Sequence, residues 1–333
     1  MRQQNLIKKL VLVSLLLALV VVSLGAYTRL THAGLGCPDW PGCYGLLEVP
    51  STSEQLAQAN QAFPERPVEP EKAWNEMIHR YFAGSLGLLI LVIAGLSVAY
   101  RRFNLPVKLP LLILAVVTFQ AALGMWTVTM KLMPIVVMGH LLGGFATLSL
   151  LFLLYLRLVN YRLPNTDMNI KKYGKYALLG IVILVLQIAL GGWTSSNYAA
   201  LTCTELPICQ AGWWQQLTFN NAFDLIPPER DSYEFGHLDH NERLTIHVMH
   251  RFGAIVTSLY LAWLVFGVFM QAQSEFFKKS AMMLAALLVV QVSLGISNIW
   301  FTLPLFVAVS HNVVAACLLL ALITLAYSLR RKI

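Results

Sequence analysis

Residues 75–100 read NEMIHRYFAGSLGLLILVIAGLSVAY, and residues 241–270 read NERLTIHVMHRFGAIVTSLYLAWLVFGVFM. Each sets a His-Arg pair, His79-Arg80 and His250-Arg251, at the head of an apolar run about 20 residues long, enough for an α-helix to cross a bilayer. Working outward from the runs Met77–Tyr100 and Leu244–Met270, six more of the same kind follow: Lys9–Tyr27, Leu109–Met130, Val136–Leu156, Tyr176–Thr194, Ala281–Phe301 and Leu305–Leu329. Of 333 residues, 57% are hydrophobic and 12% charged, which excludes a water-soluble two-domain enzyme. The expected fold class is all-α: a polytopic membrane protein of eight transmembrane helices. The first run exceeds the h-region of a secretory signal and leads into Arg29 and bulky residues, so it is kept as a helix.

Eight crossings return both termini to one side. With the N terminus in the cytoplasm, that side collects 16 of the 24 basic residues, including Arg2, Lys8, Lys9, Arg101, Arg102, Lys171, Lys172, Lys278, Lys279, Arg330 and Arg331. Of the 16 acids only Asp167 and Glu275 join them. The termini are therefore expected in the cytoplasm of a cell-membrane protein, with the long loops extracytoplasmic. The net charge of +8 reflects topology, and a nucleic-acid partner is unsupported.

The chain repeats itself. An offset of 166 residues lays Gly25, Thr28, Cys37 and Cys43 on Gly191, Thr194, Cys203 and Cys209. An offset of 171 lays His79-Arg80, Gln120, Gly124 and His140 on His250-Arg251, Gln291, Gly295 and His311. Two four-helix halves, 1–160 and 161–333, are expected to pack as bundles about a pseudo-twofold axis along the membrane normal. Between the helices run two long outer loops, about Thr28–Asn75 and Ser195–Arg243, with short helices expected near Ser53–Asn60 and Gly212–Asn221.

Chemistry concentrates at the outer ends of the even-numbered spans. His79, His140, His250 and His311 each fall there; His140 lies six residues past Pro134 and His311 seven past Pro304, about 9–11 Å along a helix. Ionisable residues inside a bilayer are rare and usually functional, and imidazole is an axial ligand of heme iron. Two pairs suit two hemes; interhelical hydrogen bonding is the plainer alternative, weakened by the repetition. A zinc site lacks further ligands at matched spacing. Arg80 and Arg251 suit bidentate pairing with heme propionates, against simple snorkelling to the interface.

The halves differ where Glu76, three residues before His79, faces His247 in the copy. A carboxylate in an apolar pocket can move protons or stabilise developing positive charge. Arg29 likewise faces Ser195. Cys37 and Cys43 frame CPDWPGC, and Cys203 and Cys209 frame CTELPIC. Two local disulfides are expected in these outer loops, as staples or as redox groups, while Cys317 reads as packing within the last helix. Trp126, Trp193, Trp300 and Tyr27 fit an interfacial belt; Gly84, Gly87, Gly124, Gly143, Gly144, Gly191, Gly192 and Gly295 fit close helix approach or a flat macrocycle. No phosphate-binding loop or dinucleotide fingerprint occurs, so electrons must come from a membrane pool or a protein donor.

The stretch GAYTRLTHAGLGCPDWPGC at 25–43, NEMIHR at 75–80, GH at 139–140, HVMHR at 247–251 and SHN at 310–312 closely resemble the heme A synthase family over nearly the whole chain. The resemblance implies oxidation of the porphyrin C8 methyl of heme O to a hydroxymethyl and then a formyl group, making heme A for terminal oxidases. It implies that the C-terminal half holds a heme b cofactor on His250 and His311, and that the N-terminal half ligates heme O through His79 and His140 with Glu76 as the catalytic carboxylate. Arg29, Arg80, Arg251 and His247 are then expected around the hemes, and each cysteine pair forms a disulfide. Heme O synthase is an expected partner within the lipid bilayer, beside an electron donor the sequence does not identify. The competing readings are a di-heme b-type cytochrome moving electrons between quinol and an outer acceptor, which gives Glu76 no task, and a heme exporter, which predicts no covalent change.

Overall fold

The computed structural model describes residues 2–103, 105–159 and 167–331. The basic residues Arg162 and Lys332 and the expected boundary between 160 and 161 lie outside the described residues. Within the described residues the chain is helical and without strands, apart from an isolated bridge between Cys43 and Leu46. The helices are α1 Arg2–Leu30, α2 Ser53–Ala62, α3 Pro70–Ala99, α4 Lys108–Thr129, α5 Pro134–Val159, α6 Tyr173–Ser196, α7 His240–Gln271, α8 Glu275–Trp300 and α9 Leu305–Arg330. All except α2 lie in stretches long and apolar enough to span a membrane, and the chain is a multi-pass membrane protein.

Local sequence sets the ends. Pro70 opens α3 and Glu71 stands in its first turn, so α3 begins seven residues, about 10 Å, before the apolar run. Helix α7 begins on a capping box in which Asp239 and Glu242 satisfy one another's backbone N–H. Pro134 and Pro304 start or precede α5 and α9. The turns before them hold Lys131 and Leu132, and then Thr302 and Leu303, at positive φ, with Leu132 N–H donating to Thr127 O and Leu303 N–H to Asn298 O. Helices α1 and α6 end in the same manner, on His32 and Tyr198 at φ 52° and 54°.

Two compact units are formed: Met1–Tyr155 with Leu225–His237, and Leu156–Asp224 with Leu238–Ile333. In the first, α3 packs on α1 and α4; Gly143 of α5 lies against Gln120 of α4, and Gly144 against Val22 of α1. In the second, α6, α7, α8 and α9 pack in a closed ring. Helix α3 buries Leu86, Ile90, Ile93 and Ser97; α7 buries Thr257, Leu261, Leu264 and Val268, the same stripe 171 residues on. Leu88 and Leu91, and Leu259 and Phe266, are exposed on the other side, the apolar face a bilayer would cover.

The segment between α1 and α3 is ordered by its own core. Cys37, Cys43, Tyr44, Val49 and Ala59 pack on Ala73 and Met77 of α3. Helix α2 stands where a short helix was expected, opened by a capping box between Thr52 and Gln55. The helix expected near Gly212–Asn221 is not formed; that stretch holds a single 3-10 turn, Trp213–Gln215. Gly212 and Asn221 have positive φ, and Thr218 N–H donates to Thr245 Oγ1 of α7, which takes that backbone group out of any local helix. Residues Leu225–His237 form a strap on the first unit. Tyr233 sits with Leu123, Met133 and Val136, its N–H donates to Lys131 O, and Glu234 pairs with Arg66 at 2.8 Å.

Candidate active site

In the first unit, α3 carries Glu76, His79 and Arg80 within four residues, so the three share one face of the helix. Helix α5 brings His140 to His79, with ring centroids 6.4 Å apart and planes at 84°. Glycines make room for both rings: a Cβ at Gly25 would lie 3.1 Å from His79 Cε1, and one at Gly124 would lie 3.3 Å from His140 Cε1. Nδ1 of each ring is buried, with the backbone of Val21 beside His79 and that of Gln120 beside His140. A metal held at about 2 Å by one nitrogen of each ring would set the centroids roughly 6 Å apart. The pair therefore fits two-imidazole ligation of a heme iron.

Glu76 is buried beside this pair. Its Oε2 accepts the backbone N–H of Cys37 at 2.9 Å, and its Oε1 pairs with Arg80. Arg80 also donates to the carbonyls of Asp39 at 2.9 Å, Pro41 and Gly42, all inside the loop closed by the Cys37–Cys43 disulfide. The Asp39 carboxylate turns that loop by accepting the N–H groups of Tyr44 and Gly45, both at 2.7 Å. The loop lies close to α3: a Cβ on Gly36 would fall 2.5 Å from the backbone of Lys72. Arg29 is half-buried in the last turn of α1.

In the second unit His250 of α7 and His311 of α9 are framed in the same way. A Cβ at Gly191 would lie 3.1 Å from His250 Cε1, and one at Gly295 would lie 3.2 Å from His311 Cε1. Here both rings have amide neighbours. Gln187 Nε2 lies 3.0 Å from His250 Nδ1, and Gln291 Nε2 lies 3.2 Å from His311 Nε2. Two imidazoles in one unit are the donor set that a heme iron takes. Arg251 donates to the carbonyls of Glu205 at 2.7 Å, Ile208 and Cys203, within the Cys203–Cys209 loop. Where Glu76 stands in the first unit, buried His247 accepts from Arg251 Nε at 3.2 Å.

Each unit thus contains the histidine pair, the arginine and the disulfide that its sequence singled out. What the sequence reading missed is the work of the arginines on loop carbonyls, the Cys37 N–H on Glu76, and Gln187. A lone glutamine in the run Tyr176–Thr194 was the available signal for the last.

The chain matches the family model for COX15-CtaA, cytochrome oxidase assembly protein, over residues 8–323. It is 52% identical over 320 residues to the heme A synthase of Shewanella oneidensis, covering 96% of each chain. The heme A synthase of Mesorhizobium japonicum is 25% identical over 94% of this chain and 87% of its own. That of Anaplasma marginale (strain Florida) is 24% identical over 95% and 92%.

Proposed function

Because the chain belongs to the COX15-CtaA family of cytochrome oxidase assembly proteins, we propose that it is a heme A synthase, an oxidoreductase that converts the C8 methyl of heme O to a formyl group through a hydroxymethyl stage. The observation that carries this reading is the buried carboxylate of Glu76 set three residues before His79, whose ring faces His140 at 6.4 Å. The first unit is the substrate half: His79 and His140 would ligate heme O, with Gly25 and Gly124 leaving room for the two imidazoles. Glu76 serves as the proton-handling group for a methyl carbon being oxidised. Arg80 and the Cys37 N–H fix its two oxygens, so the carboxylate is held in place before substrate arrives.

The second unit is the cofactor half. A heme b on His250 and His311 would supply one-electron transfer there. His247 gives that half no carboxylate, consistent with its holding a heme without altering it. Arg29 lies at the outer end of α1 as a group toward the substrate's acidic edge. The termini face the cytoplasm and the disulfide loops the outside, a reading supported by the distribution of Lys and Arg. Heme O synthase, whose product is poorly soluble in water, is the natural upstream partner. A di-heme electron-transfer cytochrome leaves Glu76 without a task and finds no support among the relatives above.

Co-expression with a heme O synthase in a host lacking heme A, followed by mass analysis of the extracted hemes, tests the reading. Heme A or its hydroxymethyl precursor is the expected product. Hemes B and O alone, from folded and loaded protein, would overturn it.

A further inference from the structure

The loop that meets Glu76 is itself held by one carboxylate. Cys43 and Leu46 exchange backbone hydrogen bonds at 2.7 and 3.1 Å and enclose a two-residue turn, Tyr44-Gly45, with φ of 55° and 79°. Positive φ at a bulky residue such as Tyr44 is costly and persists only where neighbouring groups impose it. Asp39 is that group. Its Oδ1 accepts the Tyr44 N–H and its Oδ2 the Gly45 N–H, both at 2.7 Å, so two consecutive N–H groups converge on one anion.

Through its backbone the same residue faces the candidate site. Asp39 O accepts from Arg80 Nη1 at 2.9 Å, and Arg80 Nη2 pairs with Glu76 Oε1. Two residues earlier, the Cys37 N–H donates to Glu76 Oε2 at 2.9 Å. Each oxygen of Glu76 is thus reached from residues 37–39, one directly and one through Arg80. In the copy, 166 residues on, Glu205 takes the place of Asp39, and Gln210-Ala211 that of Tyr44-Gly45. Arg251 still donates to Glu205 O at 2.7 Å, but the Glu205 side chain is exposed and, among the described residues, its carboxylate accepts no hydrogen bond. Alanine also disfavours the backbone that Gly45 adopts. The brace therefore occurs in the unit that has a carboxylate to place, and not in the unit where His247 stands instead.

We infer that Asp39 is a positioning residue for the oxidation: its carboxylate locks the Tyr44-Gly45 turn, and the locked loop keeps the Cys37 N–H and Arg80 on the two oxygens of Glu76. This rests on the catalytic reading of Glu76 given above. A displacement of about 1 Å at a reacting group costs up to about 100-fold in rate. Asparagine at 39 has nearly the volume of aspartate but offers one acceptor oxygen to two N–H groups, and turns an NH2 donor toward the other.

The test uses purified full-length protein co-expressed with a heme O synthase. It reads bound heme by absorbance, the ratio of heme A to heme O in extracts, and amide hydrogen exchange over residues 37–46. Asp39→Asn and Asp39→Ala are expected to retain bound heme and lower the ratio about 10- to 100-fold. Both should speed exchange over 37–46 about tenfold and leave that of α7 unchanged. Glu48→Gln, at an exposed acid of the same segment, should match wild type in all three. In a Glu76→Gln background Asp39→Asn should lower the ratio no further, because the group it acts through is already disabled.

Unchanged exchange or an unchanged ratio in Asp39→Asn would overturn the inference. So would a further fall in the Glu76→Gln background, or a loss of heme A matched by an equal loss of bound heme. Wild-type heme A formation by Glu76→Gln alone would instead overturn the catalytic reading of Glu76, while exchange would still report whether Asp39 holds its turn. If Asp39→Ala does not fold, Asp39→Asn and Gly45→Ala, which strains the turn from its other side, decide.

Discussion

The backbone N–H of Cys37 donates to Glu76 Oε2 at 2.9 Å, joining the disulfide loop to a carboxylate 39 residues later in the chain. With Arg80 on its other oxygen, Glu76 has both oxygens engaged by groups that themselves belong to or bind that loop. Glu76→Gln keeps the shape and an acceptor but cannot exchange a proton. Heme loading should persist, while heme A formation falls about 100-fold or more, read from the ratio of heme A to heme O in extracts.

Gly36 is where the loop meets α3. Alanine there would place a methyl 2.5 Å from the Lys72 backbone and push the Cys37 N–H off Glu76. Gly36→Ala should cost about 1–3 kcal/mol and lower turnover. Gly84→Ala, with nothing within 4 Å of its Cβ, is the neutral control. A thermal melt and the same heme ratio read both.

Arg80 directs Nη1 at the carbonyls of Asp39 and Gly42 and Nη2 at Glu76, and Arg251 directs Nη1 at those of Glu205 and Ile208 and Nη2 at that of Cys203, each with one planar fork. Lysine carries a point charge on a flexible stem and cannot span them. Arg251→Lys should leave buried carbonyls unmet at about 1–3 kcal/mol and lower the melting temperature by several degrees, with the Cys203–Cys209 loop becoming the first protease-sensitive segment.

His32 stacks on Phe235 of the strap at a centroid distance of 5.3 Å, and burial, then the nearby Arg29, pushes its pKa below the ordinary 6.5. Glu234 opposes that shift and Lys72 adds to it. A group depressed in the closed form stabilises closure above its free pKa, and that contribution is lost as the pH falls below about 6.5. Cleavage by a protease within 225–237 should therefore accelerate on acidification. His32→Phe should flatten the profile. High salt should accelerate cleavage in both by screening the partly exposed Arg66–Glu234 pair.

The eight crossings were legible because about 20 apolar residues in a row have few other uses, and the histidine pairs because histidine is costly within such a run. The buried stripes of α3 and α7 follow from the 3.6-residue period. Arg80 donates to carbonyls of the Cys37–Cys43 loop, a pairing set by loop shape that spacing alone does not carry. The helix expected near Gly212–Asn221 followed from loop length alone, and length does not show that the backbone there is drawn to Thr245. The strap's anchoring was illegible for a related reason. Arg66 and Glu234 meet across 168 residues, and nothing in either neighbourhood names the other.

That strap has a consequence for biosynthesis. Tyr233, Glu234 and Phe235 belong to the first unit, yet they are made after α6. During translation the first four membrane helices can be inserted long before the strap emerges, so the end of the unit that it covers stays open until residue 237 has been made. A gene split between the repeats would produce an N-terminal fragment that never acquires its own closing segment. Supplying residues 225–237 as a separate peptide is then a direct way to complete it.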